Sequence, residues 1–514
     1  TGSCPDSAEH ALVVVLPASP PRAIATVLAK CMGPLDRWEE VLAPAQTGGY
    51  STIHFTPVQA LGDSGSAYAI ADQLSPAPAI GSWDALAAAA DSLRARLGLE
   101  LVVDVVWNHT AASSQWIRDN PDVCYSLANS PHLIPAFVLD DAIARFSSTC
   151  PPSLATPASD ADVDAVLDAF RSSTFAELRL WEYFVIDVDG IVAEAHAFWA
   201  MHPYAAVAPE LAHLSVDERV AFICASPSGI TRIPGARFPL RPHLPLLLTA
   251  FGDEASLRAA CDLINLPHYR EYDEHVAAAF AALRGTLVWE RLGNGPRAGV
   301  SISADAPLAP SYFTRLVDDA SAEATPQYIV ANNGWVGADP TVDFAGPASF
   351  DYLRRAVNIW GDLVKLRYGS GPADSPAAWK QMVAYTETMA SIFDGFRIDN
   401  AHSTPMHVAE ALLDAARAVR PNLYVMAELF TPSAERDAEY VAHLGIHNLI
   451  REGLHVTSPR ALADFLYTYS GARLPVAALS RELAGVPPHV PRHKPGAIVY
   501  EATHDNPAVA ELFP

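Results

Sequence analysis

The sequence has no dense run of lysine or arginine to set against its acid. Its 34 Lys and Arg face 58 Asp and Glu, for a formal net charge of −24. Phosphate binding leans on clustered positive charge, so this balance argues against a nucleic-acid partner. It is compatible with a neutral polymer without pointing to one. No apolar run is long enough to span a membrane. The six cysteines (Cys4, Cys31, Cys124, Cys150, Cys224 and Cys261) are scattered, with no CxxC pair. That spacing builds neither a disulfide framework nor a zinc site, and it suits a reducing, cytoplasmic compartment. No metal motif stands out, no loop is acidic enough to demand calcium, and no cofactor is implied. There is no internal repeat. The opening, Thr-Gly-Ser-Cys, has neither a methionine nor a basic stretch leading into an apolar core. It fits a segment of a longer chain or a processed one.

What is present is a folded composition: half the 514 residues are hydrophobic and 18% are charged. That is enough for one large barrel domain and an insertion. Five short apolar stretches end in polar residues and alternate with helical patterns, as βα units do. They are Ser51–Val58 (STIHFTPV), Leu99–His109 (LELVVDVVWNH), Gly395–Asn400 (GFRIDN), Leu423–Phe430 (LYVMAELF) and Ala497–Asn506 (AIVYEATHDN). SWDALAAAADSLRARLG predicts a helix before the second stretch. STPMHVAEALLDAARAVRPN predicts another, capped by Ser403 or Thr404 with Pro405 in its first turn. Nearly continuous apolar strands between amphipathic helices argue for a parallel sheet buried on both faces.

The spacing refines this. Glu428 follows Asp399 by 29 residues, about one strand–helix–strand step. Asp505 follows Glu428 by 77, room for two steps with a long loop. His109 and Arg397 are 288 apart, so something folded is inserted there. The Pro/Ser-rich run Ser147–Asp160 reads as the way into it. The expected class is therefore α/β, a (β/α)8 barrel with a large insertion between the third and fourth strands. Residues 1–146 supply an N-terminal segment and the first strands. Residues 147–345 form the inserted, mainly helical subdomain, and 346–514 the remaining barrel through its seventh strand.

Arg397 and Asp399 are two apart on a predicted strand and leave the same face, which opens into the mouth of a barrel at the strand's C-terminal end. An arginine beside a carboxylate favours its ionised form, as a nucleophile requires. An R-x-D pair alone reads as a structural ion pair at a strand end. Glu428 ends the next strand behind an apolar run, where partial burial would suit an acid. Asp505 alone looks like a turn residue, and His109 alone like a packed core histidine. Taken together, three carboxylates on separate strand ends match what a retaining glycosidase needs.

In order, DVVWNH, GFRIDN, AELF and THDN resemble the four motif regions of the α-amylase superfamily. The resemblance narrows to the transferase portion of eukaryotic glycogen debranching enzymes. It is carried by CMGPLDRWEEVLAPAQTGGYSTIHFTPVQALG, DNPDVCYSLANSPHLIPAFVLD, NIWGDLVKLRYG, GFRIDNAHSTPMHVAEALLDAARAVRPNLYVMAELF and LGIHNLIREG. It runs from about Cys31 to the end, more loosely over the insertion. It implies Asp399 as nucleophile, Glu428 as acid/base and Asp505 as the carboxylate that grips sugar hydroxyls. It implies His109 and His504 as contacts to that sugar, Tyr68 as a ring stacked beneath it, and Asp104 and Asn108 as braces for Arg397. His402 would face the acceptor. Trp335, in NNGWVG, is equally a sugar platform or a loop anchor.

The activity this implies is 4-α-glucanotransfer on glycogen and malto-oligosaccharides, with no nucleic-acid or membrane partner. Debranching enzymes of this type also carry an α-1,6-hydrolysing domain farther along, which no segment here resembles. The alternatives are an α-1,4-glucan hydrolase on the same barrel and a non-catalytic glucan-binding barrel. Because THDN closes the seventh strand of the superfamily pattern and the sequence stops at Pro514, the barrel is expected to be incomplete at its C-terminus.

Overall fold

Seven strands pair side by side, all parallel and all in chain order, in a computed structural model. It describes residues 23–202, 207–317, 325–337, 339–431, 433–452 and 497–500. The strands are β1 (Ile24–Val27), β2 (Thr52–Phe55), β3 (Glu100–Val105), β4 (Gly395–Ile398), β5 (Tyr424–Glu428), β6 (Asn448–Glu452) and β7 (Ala497–Tyr500). Their registers run unbroken from Thr26 opposite His54 to Ile450 opposite Ile498. Helices intervene between them: α1 (Trp38–Thr47), α2 (Trp83–Leu97), α3 (Pro376–Ile392), α4 (Met406–Val419) and α5 (Ala434–Leu444). A doubly wound sheet reverses its strand order, whereas this one never does. The order is that of a (β/α)8 barrel, and among the described residues no strand joins β7 back to β1.

Alternation along the strands divides the side chains into two sets. Ile53, Phe55, Leu101, Val103, Phe396, Ile398 and Val425 are buried on one face. Phe55 there stacks on Trp38 of α1 at 5.1 Å and meets Phe393 at 6.0 Å. The opposite face carries Thr26, His54, Val102, Asp104, Arg397, Tyr424, Met426 and Glu428. Val102, Tyr424, Met426 and Ile450 form an apolar cluster on it, with Ile24 packed alongside. The polar residues continue the same rows toward the strands' C-terminal ends.

Local sequence explains the element ends. Ser82 caps α2 by accepting from Ala85 N–H at 3.1 Å, and Gly98 closes it at φ 64°, a left-handed conformation glycine adopts without strain. The start of α4 differs from expectation. Ser403 lies in a single 3-10 turn, Ala401–Ser403, and Pro405 precedes the helix without a side-chain cap. The chain must turn sharply after Asp399, and this turn takes up Ser403. The stretch read as one strand from Leu99 to His109 is two elements. β3 stops at Val105, and His109–Ala111 pairs antiparallel with Leu363–Lys365.

The chain divides into two compact units. One holds the described residues up to Val123, those of 338–343, and those from Asp362 onward. The other comprises Cys124–Gly337 and Phe344–Gly361, so all of it falls between β3 and β4 in the chain. Its boundary lies at 124; the Pro/Ser-rich run lies inside it, joining helices Ile134–Ser148 and Asp160–Phe170. The second unit is mainly helical, with a core that gathers Phe146, Phe170, Phe175 and Phe280, and its longest helix is Glu254–Arg291.

Candidate active site

Arg397 is the centre of a buried polar cluster. Strand β4 places it directly opposite Asp104 of β3. Its Nη1 lies 3.0 Å from Asp104 Oδ1 and 2.5 Å from Asp399 Oδ1, and its Nη2 lies 3.2 Å from Glu428 Oε2. All four side chains are buried, Glu428 the least at 8% exposed. Burial works against the Arg397 charge, but Asp104, Glu428, Tyr68 and Asp399 outweigh it and hold the guanidinium well above its ordinary pKa. One cation thus serves three carboxylates.

Asp104 is tied from the other side as well. His54 Nε2 lies 3.2 Å from its Oδ2, and the Tyr68 hydroxyl donates to the same oxygen at 2.9 Å. Burial raises the Asp104 pKa, while Arg397, His54 and the two hydrogen bonds bring it below the usual value. His54 Nδ1 in turn meets Thr26 Oγ1 at 3.1 Å. A polar chain therefore runs across four neighbouring strands, from Thr26 through His54 and Asp104 to Arg397. The Tyr68 ring sits with the Arg397 guanidinium 5.6 Å from its centroid, and burial followed by Asp104 raises its hydroxyl pKa well above normal.

Beyond the strand ends, Asn400 turns the chain in the left-handed conformation, φ 47° and ψ 45°. Its backbone N–H donates to Glu428 Oε2 and its side-chain amide to Asp399 Oδ2, both at 2.9 Å. Asn108 donates to Ser403 Oγ at 2.8 Å, and His109 Nδ1 lies 2.7 Å from Asn108 Oδ1. His109 Nε2 is 3.2 Å from the Tyr68 carbonyl. Burial lowers the His109 pKa to about 4, which leaves the ring neutral at pH 7. His402 Nδ1 lies 3.3 Å from the Glu428 carbonyl, with its ring 5.3 Å from that of Phe430.

Residues 22–424 match the family described as the glucanotransferase domain of glycogen debranching enzyme. The chain belongs to that family. The glycogen debranching enzyme of Saccharomyces cerevisiae is 35% identical over 472 residues, covering 87% of this chain. The chain spans 30% of that relative's length. Solved α-amylases are more distant. That of Geobacillus thermoleovorans, complexed with acarbose, has a TM-score of 0.35 at 11% identity, covering 89% of this chain and 59% of its own. That of Lactobacillus plantarum has a TM-score of 0.35 at 11% identity, covering 90% and 58%.

The debranching-family fold thus brings Asp399, Glu428, Arg397, Asp104, Tyr68, Asn108, His109 and His402 into one connected network. Asp505 and His504 lie outside the described residues. Trp335 belongs to the second unit, on strand Ile329–Val336, and is 44% exposed. Sequence reasoning passed over Thr26, His54 and Asn400. A histidine inside an apolar strand was the one available sign of His54. The sign of Asn400 was an asparagine, the residue most tolerant of left-handed backbone after glycine, directly behind a strand-end aspartate. Among the described residues, no group of three or more His, Cys, Asp or Glu is arranged to hold a metal ion.

Proposed function

We propose that this chain is a 4-α-glucanotransferase that moves short α-1,4-glucan segments by a retaining double displacement, with glycogen and malto-oligosaccharides as substrates. The observation that carries the reading is the sharing of one buried guanidinium by Asp399 and Glu428. Two carboxyl groups fixed across a single planar group can act on one anomeric carbon, one as nucleophile and one as proton carrier.

In the first step Asp399 attacks the anomeric carbon. Glu428 delivers a proton to the departing 4-oxygen, and a covalent glycosyl-enzyme forms. Glu428 Oε2 already pairs with Arg397 and accepts from Asn400, so Oε1 is the oxygen that carries the proton. In the second step Glu428 takes the proton from the 4-hydroxyl of an acceptor glucan, and the new α-1,4 bond replaces the bond to Asp399. Asp505, from THDN, grips sugar hydroxyls in this scheme. His109, His504 and Tyr68 meet the same sugar, and His402 faces the acceptor. Asp104 and Asn108 hold Arg397 and the turn after β4. A neutral His109 suits an uncharged sugar, because it can hydrogen-bond without a counter-charge. The described cysteines are all free thiols, in keeping with a cytoplasmic setting.

Incubation of the protein with maltopentaose tests the reading. Transfer produces longer and shorter oligosaccharides with no net gain of reducing ends. Only shorter sugars, with one reducing end gained per cleavage, would make the protein a hydrolase. No change at all would leave a glucan-binding barrel.

A further inference from the structure

Asn400 touches both carboxyl groups of the proposed reaction, and it does so with different atoms. Its side-chain amide donates to Asp399 Oδ2 and its backbone N–H to Glu428 Oε2, each at 2.9 Å. Residue 400 itself is left-handed. Among the described residues it is one of four non-glycine positions with positive φ, the others being Arg179, Phe238 and Arg355. The turn is held independently of the side chain. The Asn400 carbonyl accepts from Ser403 N–H at 3.0 Å and from Thr404 Oγ1 at 3.2 Å.

We propose that Asn400 is a positioning residue for both steps, its amide orienting the Asp399 carboxylate and its N–H orienting Glu428. This deepens the transferase reading and rests on it. Arg397 already holds Asp399 Oδ1. A carboxylate gripped at one oxygen can still swing about that contact, and a second donor on Oδ2 removes the freedom. A displacement near 1 Å is already costly when an attacking atom must meet an anomeric carbon. The amide also favours the ionised form of the nucleophile, as donors to a carboxylate do. Glu428 Oε2, ion-paired with Arg397, accepts from the same residue, so one turn sets the attacking and the proton-carrying groups relative to each other.

The test separates the amide from the turn. Asn400→Gly keeps a left-handed backbone and its N–H but loses the side-chain donor. In the intact protein assayed with maltopentaose, kcat falls roughly 10- to 100-fold, the worth of one hydrogen bond to a charged group. KM stays within about twofold, and the acid limb of the kcat/KM–pH profile moves to higher pH. Asn400→Asp keeps the shape but faces Asp399 with like charge, so its acid limb moves further and its loss is deeper. If Asn400→Gly fails to fold, Asn400→Asp at wild-type thermal stability reads the same quantity. A purely structural role predicts that glycine, the residue best suited to the turn, leaves kcat and the pH profile unchanged, and that result overturns the proposal. Wild-type Asn400→Asp kinetics overturn it equally. A wild-type protein that neither transfers nor hydrolyses maltopentaose overturns both this inference and the functional reading. An active wild type with unaltered variants overturns this inference alone.

Discussion

Arg397 and Asp104 stand directly opposite one another where β4 pairs with β3, with Nη1 3.0 Å from Oδ1 and both side chains buried. Removing one partner of a buried pair leaves the other charge stranded in a low-dielectric setting. Asp104→Ala also takes the acceptor from His54 and Tyr68. We expect stability to fall by about 3–5 kcal/mol, the usual scale for breaking a buried ion pair. Urea unfolding measures it. A midpoint unchanged from wild type would mean that Asp104 holds nothing together.

His109 makes stability depend on pH in a defined window. Burial lowers its pKa from 6.5 to about 4, so between these values the unfolded chain binds the proton and the folded chain does not. The contribution is fully present above pH 6.5, is lost as pH falls toward 4, and levels off below. At pH 5 the loss relative to pH 7 is about 2 kcal/mol, from about 1.4 kcal/mol per pH unit. His109→Asn should flatten this part of the stability profile. An unaltered slope between pH 7 and 5 in that variant would assign the effect to other groups.

Gly395 begins β4 on the face shared with Arg397, where a Cβ would lie 2.7 Å from the Tyr424 carbonyl and 2.9 Å from the Tyr424 Cβ. The neighbour is backbone and cannot yield cheaply. Gly395→Ala should cost about 1–3 kcal/mol, as overpacking of a tight core does. Because β4 carries Arg397 and ends beside Asp399, transfer should fall as well. Denaturant unfolding and the maltopentaose assay read both, and a variant neutral in each would show that the strand has room to shift.

The sequence made the barrel legible where its strands are long apolar runs. LVVDV and YVMAE announce β3 and β5, and each carries its cluster residue, Asp104 or Glu428, in the last two positions. Two strands escaped the reading for physical reasons. IATV in β1 is four residues long and only partly buried at the end of the sheet, and NLIRE in β6 is too polar to stand out. The 288-residue gap required an inserted fold. Its contact boundary at Cys124 was hidden, because the helix Ile134–Ser148 continues the barrel-like pattern while the Pro/Ser run after it resembles a linker. The site followed the same rule. Asp399 and Glu428, at or just past strand ends, stood out once their positions were taken together, and Asn108 through the family motif. His54, mid-strand, and Asn400, whose role comes from where its amide and its N–H lie, needed coordinates. Ser403 was misread as a helix cap because sequence cannot tell a capping serine from one spent in a 3-10 turn.

The covalent link to Asp399 is the centre of the account, and it can be captured. In Glu428→Gln the acid and base are gone, but α-maltotriosyl fluoride needs no proton to lose its leaving group. Its first step proceeds while the second stalls, and the glycosyl-enzyme accumulates. The variant is quenched with acid, digested, and its peptides are weighed. The account predicts one maltotriosyl unit on the peptide carrying Asp399, and none when Asp399→Asn is added. A maltotriosyl group on any other residue, or no adduct while fluoride is released, would contradict it.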